Sequence, residues 1–170
     1  MQVETKAQAA GVFHLALKRD GKIIEKWDSP NLIVQEGRTL YQTSALTGGT
    51  PKTAWYLALF GNNRTPLDGD TGITIASLSG ELTTEYDEVN RPAWVSNAAP
   101  TDVVSNSDNP GIFNINQTIT IYGAFMVSEN TKGGAVAGTM LMGESLFPAS
   151  RDAQAGDQVI ITYDITLSSS

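Results

Sequence analysis

The stretch "DQVIITYDITLS", residues 157–168, restricts what this chain can fold into more than any other. Val159, Ile161, Tyr163, Ile165 and Leu167 fall on one face, and Gln158, Thr162, Asp164, Thr166 and Ser168 on the other. Only Ile160 interrupts the alternation. A period of two belongs to a strand with one face in a core and one in water. Such a strand needs paired neighbours and a second layer to cover its apolar face.

Similar signals recur along the chain. In "GVFHLALK", Phe13, Leu15 and Leu17 alternate with His14, Ala16 and Lys18. Asp20-Gly21 follows, a strong signal for a two-residue turn with positive φ at both positions. The returning strand is expected at "KIIEKW", residues 22–27, with Pro30 closing the hairpin. "AWYLALF", residues 54–60, is apolar on both faces and is expected to be covered on both. "GIFNI", "TITIYGAFMV" and "GTMLMGESLF" read as three more strands, and residues 97–110 as loop with one short edge strand. One helix is expected from about Glu36 to Leu46, where Leu40, Tyr41, Ala45 and Leu46 recur at helical spacing and Gly48-Gly49 supplies a stop. The expected fold is all-β: a jelly-roll-like β-sandwich of about eight antiparallel strands with one short helix. Residues 11–170 form its single domain, and residues 1–10 an N-terminal arm or disordered tail.

The composition agrees. Charged residues are 17% of the chain, below the roughly 25% of an average globular protein, and 16 glycines favour turns. There is no cysteine, which removes disulfides, thiol nucleophiles and thiolate metal sites. Eleven basic residues are outnumbered by eighteen acidic ones, for a net charge of −7. A phosphate backbone or an anionic membrane surface needs a positive field, so neither is an expected partner. No apolar run approaches the roughly 20 residues of a membrane helix, and "MQVETKAQAAG" lacks the pattern of a secretory signal.

The candidate chemical motifs are weak. Glu81, Glu85, Asp87 and Glu88 crowd into "ELTTEYDEVNR". Two such acids could run glycoside hydrolysis, but catalytic pairs usually come from different strands, and an acidic surface edge is the simpler reading. Asp68 and Asp70 in "LDGDTG" resemble the start of a calcium loop without its later ligands. The sole histidine, His14, has no nucleophile elbow and no thiolate near it in sequence, and reads as a polar-face strand residue. "GGAVAGT", residues 133–139, lacks the lysine of a phosphate-binding loop and reads as a flexible hairpin tip. Asn63 and Asn116 fit the glycosylation sequon. No catalytic, cofactor-binding or metal site is expected.

"TITIYGAFMV" poses a different question. Ile119, Ile121, Phe125 and Val127 make one face, yet the other carries Thr120, Tyr122, Ala124 and Met126. "TMLMGESLF" is similarly two-sided, with Met140, Met142 and Leu146 opposite Leu141 and Phe147. Either a loop or the helix covers these second faces, or they form a subunit interface, where aromatic residues and Met are enriched. On the second reading the interface residues are Tyr122, Met126, Met140 and Met142.

The segments "NLIVQEGRTLYQ", "AWYLALFGNNRTP", "TEYDEVNRPAW", "IYGAFMVSENTKGG" and "AGDQVIITYDITLSSS" resemble, in that order, a widespread group of tailed-bacteriophage virion proteins. The resemblance spans nearly the whole chain. It implies a non-enzymatic capsid decoration (cement) protein of jelly-roll type. Such a protein binds the outer surface of the assembled head and needs no cofactor. The expected partners are the major capsid protein and further copies of the chain, as a homo-oligomer such as a trimer. The expected location is the capsid exterior of a virion assembled in the bacterial host cytoplasm. The alternative within the same resemblance is a tail or tail-fibre component that attaches to the host surface.

Overall fold

The structure, a computed structural model, describes residues 7–98, 102–134 and 136–169. The strands are β1 (Ala7–Arg19), β2 (Lys22–Ile33), β3 (Trp55–Phe60), β4 (Ala93–Trp94), β5 (Val103–Val104), β6 (Gly111–Asn114), β7 (Ile119–Val127), β8 (Leu141–Ala153) and β9 (Gln158–Ser169). The helices are α1 (Gln35–Leu46) and α2 (Ile75–Ser79).

The strands form one nine-stranded antiparallel sheet in the order β4-β3-β7-β8-β2-β1-β9-β5, with β6 also on β9. The sheet is curled on itself. Among the described residues its halves share strand pairing only where Leu32 and Ile33 meet Glu144 and Gly143. The β-sheet expectation therefore holds in sandwich-like form. In this strand order β1 and β2 are hairpin neighbours, as are β7 and β8; it does not establish a jelly roll.

The main core fills the space between the halves. Phe13, Leu15 and Leu17 from β1 and Val159, Ile161, Tyr163 and Ile165 from β9 meet Leu57 and Leu59 from β3 and Ile121 and Met126 from β7. The alternation of "DQVIITYDITLS" is thus realised from Val159 to Ile165, whereas Leu167 is 57% exposed. The turn before β2 has Asp20 at φ 49 and Gly21 at φ 79. β2 itself runs past Pro30 to Ile33, farther than the sequence suggested. Before Leu32 it has a paired neighbour only in β1, and a strand open on one side tolerates a missing N–H.

The seam between the halves is built closely. The Tyr163 ring stacks on Phe13 with centroids 4.2 Å apart, and Asn31 Nδ2 donates to the Tyr163 hydroxyl over 2.5 Å. A side chain at Gly11 or Gly143 would strike this pair, so both positions need glycine.

A second, smaller core lies on the outer face of the β3–β7–β8 layer. Ala58, Phe60, Phe125, Val127 and Leu141 are covered there by Val34, at the start of α1, and Ile75, in α2. Both faces of β3 are therefore buried, as expected. α2 was not anticipated, because five residues are too few to show a helical period. At the chain's start, Ala7–Ala10 of the expected arm belong to β1 and pair with Thr166–Ser169; residues 1–6 lie outside the described residues.

Candidate functional site

The register of β7 against β8 shifts between Ile121 and Gly123. The β8 partner steps from Arg151 to Leu146, and an odd shift of this kind exchanges the faces of the residues beyond it. Ile121, Ala124 and Met126 consequently share the main core, while Tyr122, Phe125 and Val127 turn to the second one. This takes Met126 and Met142 out of the expected interface. Met126 is fully buried and Met142 is 3% exposed, and both pack in the main core of their own chain. Tyr122 is half-buried against the second core. Met140 is half-buried, and its N–H is bound by the Ser128 hydroxyl over 2.9 Å. The two-sided strands are explained by a helix-and-loop cover within the chain.

That cover is fastened by charge. Glu144 rises from β8 on the face shared with Phe125 and is 1% exposed. Arg64, from the loop above, reaches Glu144 Oε2 at 3.3 Å and holds both Asp70 oxygens at 2.5 Å. The Asp70 carboxylate also accepts from the Leu67 N–H at 2.8 Å. Burial first, and the neighbouring Asp70 second, push the Glu144 carboxyl up to about 8. Asp70 is held below its ordinary value: burial opposes the shift, but its bonds to Glu144, Arg64 and the Leu67 N–H together outweigh it. One guanidinium thus serves two carboxyls that share a proton at neutral pH. Beside this cluster, Glu36 Oε2 in α1 accepts from the N–H groups of Gly72 and Leu141.

The acidic segment is spoken for as well. Glu81 and Arg91, each 1% exposed, form two bonds of 2.7 Å. The Gly133 N–H donates to Glu81, and Arg91 donates to the Glu129 carbonyl. Glu85 accepts from the Thr83 and Thr84 N–H groups, and Glu88 accepts from Asn114. Lys132 lies 4.0 Å from the centre of the Tyr86 ring and donates to the Glu88 carbonyl. These bonds draw the glycine-rich connection before β8 onto residues 81–91.

Asp68 forms a two-point ion pair with Arg38, so both aspartates of the calcium-like loop face arginines. Among the described residues no group of three or more His, Asp and Glu side chains is arranged to hold a metal ion. His14 sits on the outer face of β1 between Asp28, at 2.7 Å, and Asp164, at 3.3 Å.

One apolar concavity lies where the curl is incomplete. The two edges of the sheet, β4 and β5, face each other across a cavity of about 240 Å³ beneath α1. Tyr41, Trp55, Trp94, Met126, Met142 and Ile165 line it. Trp94 Nε1 donates to the Tyr163 carbonyl over 3.0 Å and ties one edge to the opposite half. Lys52 is the one charged group in this lining. The wall can take an apolar group but brings no acid–base pair together.

Fold and site together define a curled antiparallel β-protein whose buried charges hold its own segments in place. No family model matches the chain, and no curated protein matches it.

Proposed function

We propose that this chain is a structural component of a tailed-bacteriophage virion. In this reading it is a decoration (cement) protein that binds the outside of the assembled head and bridges major capsid protein subunits. The observation that carries the reading is the ordered resemblance of five segments to virion proteins, spread from residue 31 to the end. The geometry is consistent with it. Those segments supply the end of β2 with α1, then β3, β4, β7 and β9, so the resemblance follows the architectural parts of the fold. The ionisable groups that suggested chemistry are engaged in holding loops to the sheet. The net charge of −7 disfavours contact with packaged DNA and suits an outer position. A protein that binds only the assembled shell stabilises it by mass action.

The test is antibody labelling of purified virions by electron microscopy, with mass spectrometry of separated heads and tails. Label over the head surface is the expected result. Label confined to the tail would replace the cement reading with the tail reading, and absence from virions would overturn both.

A further inference from the structure

The outer face of the β2–β1–β9–β6 layer sets three neighbouring apolar residues among charged ones, and its charges are polarised. Antiparallel sheets normally turn a polar face to water. Here Ala16 lies between Lys26 of β2 and Ile160 of β9, and Ile160 lies beside Ile112 of β6, which is 39% exposed. This places the one residue that interrupts the alternation of β9 at the centre of the face. Toward the β1–β2 turn the face carries Lys18 and Lys26. Four of the chain's eleven basic residues lie between 18 and 26, so the basic residues are not evenly dispersed. No carboxylate among the described residues pairs with Lys18 or Lys26. Toward the other end the same face carries Asp28 and Asp164, either side of His14.

We infer that this face is the contact of a two-fold dimer with a second copy of the chain. A two-fold axis lying in the contact and across the strands exchanges the ends of the face. It brings Lys26 of each copy to Asp28 of the other, and Lys18 toward Asp164, while Ala16, Ile160 and Ile112 are covered at the centre. A self-complementary patch of this kind is what an isologous interface requires. The polarity selects a second copy: two chains of net charge −7 repel in other orientations, and this one opposes unlike charges. The inference does not rest on the virion reading, because it concerns the purified chain alone.

Sedimentation equilibrium on the purified chain tests it. The expected mass at micromolar concentration is twice the 18.1 kDa of one chain. Lys18→Glu with Lys26→Glu should sediment as a monomer, and so should Asp28→Lys with Asp164→Lys. Mixing these two variants in equal amounts should restore the doubled mass, since each supplies the charges the other lacks. Ile112→Lys, an exposed single change, should also yield monomer with an unchanged circular dichroism spectrum and a melting temperature that no longer depends on protein concentration. A monomeric parent chain, or a mixture that stays monomeric while both variants are folded by circular dichroism, would overturn the inference. So would charge variants that dimerise as well as the parent.

Discussion

At pH 7 Glu144 carries its proton, held by burial and by the Asp70 carboxylate, with its pKa at about 8 against an ordinary 4.5. Between those values the folded chain binds more protons than the unfolded one, so this group's contribution is complete below about 4.5 and is lost as the pH rises through 8. Asp70 acts in the opposite sense. Its lowered pKa contributes stability above 3.8 that is lost as the pH falls further. Denaturant unfolding should therefore show stability declining between about pH 5 and about pH 8, by an amount on the order of a few kcal/mol. Glu144→Gln keeps the shape without the titration, and its profile should be flatter across that window. Met126 allows a second residue-level measurement. Truncation to Ala should cost about 2–5 kcal/mol by opening a cavity in the main core. Met126→Asp should prevent folding rather than release subunits, which circular dichroism distinguishes from a change of mass.

Among elements, α1 shows a conflict between local preference and packing. Glycine inside a helix is less favourable than alanine by roughly 0.5–1 kcal/mol. Yet a Cβ at Gly37 would fall on the Met142 carbonyl oxygen of β8. Gly37→Ala should accordingly lower the melting temperature, and a rise would show that α1 sits less tightly on the sheet. The segment from 81 to 91 depends on the Arg91–Glu81 pair in the same way. Removing one member of a buried pair costs about 3–5 kcal/mol, so Glu81→Ala should destabilise far more than replacing both with apolar residues of similar size. Much of the architecture was legible from short-range pattern. β9, the Asp20-Gly21 turn and α1 each declare themselves within a dozen residues. The face of Met126 was not legible, because the register shift before Gly123 reverses inside and outside without altering the local alternation. Nor was the Arg64–Asp70–Glu144 cluster, whose last member lies 80 residues from Arg64. The one available hint was a carboxylate set in the apolar run "TMLMGESLF".

Over the whole molecule, closure is decided at two places: the short Leu32–Ile33 seam and the Trp94 bond across the cavity mouth. Trp94→Phe keeps an aromatic ring but leaves the Tyr163 carbonyl without that donor, at a cost of about 1 kcal/mol for the bond alone. Amide exchange in β4 and β5 should accelerate while exchange in β1 and β9 is unchanged. The long ladder between β1 and β9 has a mechanical consequence. Ala7 and Ser169 are register partners at one end of two antiparallel strands, and the bonds joining the strands run crosswise to them. Tension applied between these two residues loads the rungs in succession, not all together. The molecule should therefore peel open from that corner at low force, and it resists best when pulled along the strand axis.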